Sequence, residues 1–108
     1  MTDILPYLER IRARFDEPEM RASFRGFART LQFIFTDLSR NFTLNIAEDG
    51  NAALAEQTVP QPDIKVSTTS NTLAAILDRN LNPVHAYVTR KIKATGKMED
   101  LLKLQKLL

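Results

Sequence analysis

The chain has 108 residues, 44% of them hydrophobic and 26% charged, with no cysteine and a formal net charge of +2. That length supports one domain with a real core, and the composition is that of a globular protein. Missing cysteine excludes disulfides and thiolate metal sites and fits a reducing cytoplasm. No apolar run approaches the roughly 20 residues a spanning helix needs. The start, Met1-Thr2-Asp3-Ile4, lacks the basic and apolar pattern of a signal peptide.

Ile4, Leu8, Ile11 and Phe15 recur at helical spacing and predict an amphipathic helix, with Pro6 near its start. Met20, Phe24 and Phe27 repeat the spacing and predict a second helix over about residues 18–28, opened by Asp16 or Glu17 before Pro18. The period then falls to two. Leu31, Phe33 and Phe35 alternate along one strand, and Phe42, Leu44 and Ile46 along the next. Asp49-Gly50 suits a tight hairpin with positive φ at both central positions. A third strand is expected over Ala52 to Val59, with Pro60 and Pro62 marking a connection. Ile64 to Ser67 alternates as a fourth strand.

Ser70 or Asn71 is expected to cap a helix carrying Leu73, Ile76 and Leu77 on one face. Asn82-Pro83 is a strong start for another, with a capping side chain before proline at the first helical position. Ile92 and Ala94 face one way in a fifth strand that Gly96 ends. The last helix carries Met98, Leu101, Leu102, Leu104, Leu107 and Leu108. These apolar positions spread over more than one face, so some must meet a lipid, a membrane or a second subunit. Helices segregated from a largely antiparallel sheet predict an α+β fold in two layers.

Little in the chain suggests catalysis. His85 is the only histidine, and Gly26, Gly50 and Gly96 are the only glycines. No phosphate-cradling loop, nucleophile motif or metal cluster follows from them. The expectation is a protein that is not an enzyme and uses no cofactor. Charge is uneven: residues 1–78 carry 8 basic and 11 acidic side chains, and residues 79–108 carry 7 and 2. The basic end suits an anionic partner. Nucleic acid is not expected, because Tyr87 is the only aromatic after Phe42 and stacking platforms are missing.

Several pieces fall in an order that resembles the sterol carrier protein two domain. They are Asp63-Ile64-Lys65-Val66, Leu73 to Leu77, Leu81-Asn82-Pro83, Lys91-Ile92-Lys93 with Thr95-Gly96, and Met98 with Lys103-Leu104-Gln105. The likeness covers about Thr30 to Gln105, and the first helices look similar to those of small stand-alone members. It implies a single domain over 1–108, with N-terminal helices in 1–28 and the core fold in 30–108. It implies five strands with helices on one face, and an apolar tunnel between the layers that takes fatty acids, acyl-CoA, phospholipids or sterols.

Carried over by position, the tunnel lining would be Phe33, Phe35, Phe42, Leu44 and Ile46 from the sheet. Leu73, Ile76, Leu77, Leu81, Tyr87, Val88, Met98, Leu101, Leu102 and Leu104 would come from the helices. Arg79 and Arg90 stand where the family usually has glycine, so either the backbone there is ordinary or the tunnel mouth differs. Arg79, Arg90, Lys97, Lys103 and Lys106 would meet an anionic headgroup or membrane surface, or form only a solvated face. The implied function is non-enzymatic lipid binding and transfer in the cytoplasm. The alternative is an accessory module, for example in isoprenoid quinone synthesis, that uses the same surfaces for a partner or a homodimer.

Overall fold

The computed structural model describes residues 3–108. In chain order it contains α1 (Leu5–Arg14), α2 (Pro18–Ser23), β1 (Arg29–Phe35), β2 (Arg40–Ile46), β3 (Ala52–Ala55) and β4 (Ile64–Thr68). Then follow α3 (Ser70–Leu77), α4 (Pro83–Val88), β5 (Lys93–Thr95) and α5 (Met98–Leu104), closed by a 3-10 turn at Gln105–Leu107. The strands form one sheet in the order β3-β2-β1-β4-β5. The central pair, β1 with β4, is parallel, and the other pairs are antiparallel. The fold is α+β, as the alternation and the resemblance both imply.

Register places Leu31, Phe33, Leu44, Phe42, Ile64, Val66 and Ala94 on one face, and the helices pack there. The first-helix stripe of Ile4, Leu8, Ile11 and Phe15 is buried against this face. Phe15, Phe24 and Phe27 continue the core as a chain of tilted and edge contacts, with ring centroids 5.1 and 5.4 Å apart.

Because β3 and β4 lie on opposite sides of the β1–β2 pair, their connection must cross the sheet. It crosses the face without helices. Gln32 and Thr43 point that way and are buried. Gln32 Nε2 donates to the carbonyls of Phe42 and Gln57, each at 3.0 Å, and its Oε1 accepts from the Val59 amide at 2.8 Å. Thr43 Oγ1 donates to the Gln57 carbonyl at 3.0 Å. The expected third strand therefore stops at Ala55 instead of Val59, because Gln57 to Val59 bond to side chains on the back face. Asp63 then fixes the return. Its carboxylate accepts the Thr30 amide at 2.8 Å, and its own amide donates to the Thr30 carbonyl at 3.0 Å.

Other boundaries moved for local reasons. The second helix is one and a half turns long, and Phe24 and Phe27 follow it in a turn. In the β2–β3 loop only Gly50 takes a positive φ, so this is a three-residue loop closed by a left-handed glycine. A Cβ on Gly50 would lie 2.3 Å from the Arg21 carbonyl oxygen, so the loop also needs glycine for close approach to α2. Thr69, one residue earlier than expected, caps α3 by accepting the Thr72 amide. The last helix ends at Leu104 and tightens into the 3-10 turn.

Replacing Gln32 by leucine keeps the bulk and removes the anchor. The Val59 amide and Gln57 carbonyl lose a buried partner, so unfolding in urea is expected to become easier by about 2–3 kcal/mol. A change within measurement error would show that the crossover is held by other contacts.

Candidate functional site

The helix face is not evenly covered. At the β5 end, Val66 and Ala94 of the sheet and Ile92, which lies just before β5 and not within the strand as expected, form a floor under α4 and α5. Asn82 sets α4: its side chain accepts the amides of Val84 and His85 at 2.8 and 3.2 Å, as the Asn-Pro start predicts. Asp100 sets α5. It is buried in the helix's first turn and accepts Arg29 Nε from β1 at 3.0 Å. The two helices stand apart and leave a groove of about 180 Å³, floored by the sheet and walled by Tyr87, Met98, Leu101 and Leu102. Tyr87, Met98 and Leu102 are 45%, 63% and 56% exposed, so apolar side chains face water here. A smaller void of about 20 Å³ lies deeper, among Ile11, Leu31, Phe33, Val66, Leu73, Leu104, Leu107 and Leu108.

The residues expected to line a tunnel divide by place. Tyr87, Met98, Leu101, Leu102 and Leu104 wall the groove. Phe33 and Leu73, with Leu104 again, border the void. Ile76 and Leu77 border an open cleft between α1 and α3, and Leu81 a hollow near the β4–α3 junction. Val88 is 71% exposed and borders none of these. Phe35, Phe42, Leu44 and Ile46 are sealed in the core; Phe35 stacks on Phe33 at 6.1 Å and meets Phe42 edge-on at 6.0 Å. The groove is smaller than the roughly 300 Å³ of an ordinary ligand site. A whole tail needs side chains to part.

The sequence reading missed Val66, Pro83, Val84, Ile92, Ala94, Gln105 and Leu108 as groove residues. Strand alternation placed Val66, Ile92 and Ala94 on the apolar face, and that was the available signal.

The two arginines at family glycine positions take the same local structure. Arg79 and Arg90 have φ of 63° and 65°, so the backbone is left-handed at both. Asn80 and Arg79 amides donate to the carbonyls of Ala75 and Ile76; Lys91 and Arg90 amides donate to those of Ala86 and Tyr87. Each pair is a Schellman motif ending a helix, where glycine is the usual residue. Their side chains go to different places. Arg79 joins Arg10, Arg14 and Glu17 in the α1–α3 cleft of about 500 Å³. Arg90 joins Lys91 and Lys93 in a hydroxyl-lined hollow with Thr36, Ser67 and Thr72.

Arg10 is already engaged, with Asp78 Oδ1 at 3.2 Å and the Leu77 carbonyl at 3.2 Å. The Tyr7 hydroxyl donates to the same carboxylate at 2.7 Å. Tyr7 first, then Arg10, holds the Asp78 carboxyl below its ordinary pKa, and the bond to Asp78 raises that of Tyr7. Lys103 does not face outward like a headgroup contact. Its ammonium lies 5.5 and 5.4 Å from the ring centres of Phe24 and Phe27. Lys97 precedes α5, and Lys106 is exposed in the closing turn. Among the described residues, no group of His, Asp or Glu could hold a metal ion, and no helix is long and apolar enough to cross a membrane.

The domain is thus a small mixed sheet with helices on one face and an apolar groove at the covered edge. The chain matches the SCP-2 sterol transfer family over residues 8–108 and belongs to it. That fold is in general a carrier of lipids rather than a catalyst. Among solved structures, palmitated SCP2L2 from Aedes aegypti is similar at TM-score 0.76, with 20% identity over 98% of this chain and 94% of that one. The UbiJ-SCP2 ubiquinone synthesis protein is similar at 0.68, with 14% identity over 94% and 86%. The sec-alkylsulfatase Pisa1 from Pseudomonas sp. is similar at 0.70 with 26% identity over 82% of this chain, which spans only 14% of that enzyme's length. No curated protein matches.

A long side chain in the left-handed region costs about 1 kcal/mol that glycine avoids. Arg90→Gly is therefore expected to raise the urea midpoint slightly, by up to about 0.6 kcal/mol of stability after the unfolded-chain entropy of glycine is subtracted. A lower midpoint would mean that the Arg90 side chain stabilises the fold by more than its backbone costs.

Proposed function

We propose that this domain binds an amphipathic lipid by its acyl chain, without chemistry of its own, and carries it between surfaces. The observation that carries this reading is the groove between α4, β5 and α5, where Met98 and Leu102 stand in water above an apolar floor. Family membership supports the same class of ligand. The ligand we favour is a fatty acid or fatty acyl-CoA. Each methylene removed from water contributes about 0.8 kcal/mol, so a long tail outweighs the ordering and association costs. Lys97, Lys106 and the Arg90 group are proposed to meet an anionic membrane surface during transfer. The cysteine-free composition suits work in the cytoplasm.

The same exposed apolar wall supports a second reading, an accessory module whose groove takes a partner chain or a second copy. The likeness to a ubiquinone synthesis protein is consistent with it. Native mass spectrometry of protein purified without detergent separates the two: a co-purifying lipid mass favours the carrier, and an empty dimer favours the module.

Leu102 is exposed, so Leu102→Glu is expected to leave the fold intact while placing a charge in the groove wall. Displacement of a fluorescent fatty acid should show affinity falling about tenfold or more, because a buried carboxylate against an alkyl chain is costly. Unchanged affinity in a folded variant would contradict the groove as the binding place.

A further inference from the structure

The recesses on the helix face meet at the C-terminal leucines. Leu108 borders the arginine cleft, the void and the groove. Ile11 and Leu107 stand between cleft and void. Val66 and Leu104 stand between void and groove. The apolar groove therefore backs, through one thin partition, onto Arg14 and Arg79. The hollow that holds Arg90 shares no wall residue with any of the three.

Charge in the cleft is unbalanced. Arg10 is taken by Asp78 and a carbonyl. Arg14 is half-buried, and among the described residues neither it nor Arg79 has an acidic partner within ion-pair distance. Glu17 also borders the cleft, so its wall side chains carry three guanidiniums to one carboxylate. Arg79 is held there on a left-handed backbone that disfavours a side chain, so its presence costs the fold something. Strain of that kind at a cavity wall points to a role for the side chain.

We propose that Arg14 and Arg79 bind the anionic head of a single-chain lipid, whose tail displaces Leu107 and Leu108 and runs through the void into the groove. This deepens the carrier reading and rests on it. The void as it stands, about 20 Å³, is too small for a tail, so the partition must move. It is built to move. Among the described residues, the turn Gln105–Leu107 is hydrogen-bonded only to the end of α5 and to Leu108, and not to the rest of the body. Leucine side chains hold it to the body, and an alkyl tail replaces them in kind, with roughly two to four methylenes matching one buried leucine. Guanidinium donors suit a carboxylate or a sulfate equally, through paired N–H···O bonds.

The test compares dodecanoate, dodecyl sulfate and dodecanol, below their micellar range, as competitors for a fluorescent fatty-acid probe on the full chain. At least one anion is expected to bind about tenfold tighter than the alcohol, and whichever does so identifies the head. In the double variant Arg14→Gln with Arg79→Gly, that preference should fall to about twofold or less while alcohol affinity stays unchanged. Because Arg79→Gly relieves the left-handed backbone, its melting temperature should rise, which separates lost anion binding from lost folding. An alcohol that binds as tightly as both anions, or a variant that keeps the preference, overturns the head site and leaves the carrier reading standing. Failure of all three to compete overturns both.

Discussion

The apolar face of this sheet is wider than the helices that cover it. The constraint begins on the opposite face. Strand order forces the β3–β4 connection across the sheet, and Gln32 and Thr43 bind it there. With that face occupied by backbone, the α-helices described all pack on the other. α1 and α3 close its centre, where the phenylalanines are sealed. The β4–β5 end is left to α4 and α5, of six and seven residues. Two helices of under two turns cannot cover Val66, Ile92 and Ala94 and bury their own apolar faces as well. Tyr87, Met98 and Leu102 stay in water as a result.

Polar contacts then set the width of the gap. Asp63 pins the start of β4 to Thr30, which fixes the parallel register and so the position of Val66 in the floor. Asp100 pins the start of α5 to Arg29. Lys103, one turn on, rests over Phe24 and Phe27. These contacts hold the first part of α5 to the body. Beyond α5, the turn that carries Leu107 and Leu108 is hydrogen-bonded only to the helix end and to itself, so mobility should rise toward the C-terminus. A groove walled on one side by such a segment is suited to admitting a chain and releasing it.

Much of this was legible in the residues. Period-two alternation found the strands and their apolar faces, and the Ile4–Phe15 stripe found α1, because burial dictates both patterns. Asn82-Pro83 found the start of α4 through capping chemistry. What failed has equally specific reasons. Alternation reports which face a side chain takes but not what lies above it, so Phe35, Phe42, Leu44 and Ile46 read like Val66 although they are sealed. Gln57 to Val59 continued a plausible strand, because nothing local distinguishes pairing with an edge from bonding to Gln32 across a face. Thr69, Ser70 and Asn71 can all cap a helix, and the geometry chose the first. Lys103 has the spacing of a solvated residue, and only the fold brings it over two rings. At Arg79 and Arg90 the sequence left two alternatives, and both positions proved left-handed, closing helices as glycine would.

The central claim is that an acyl chain occupies the space between α4, β5 and α5. Methyl-resolved NMR, with methionine and leucine methyls labelled and dodecanoate titrated in, tests it directly. The account predicts saturable shifts at Met98, Leu101 and Leu102, with Leu44, sealed in the closed core, moving little. Saturable binding that leaves Met98 and Leu102 unmoved would contradict it.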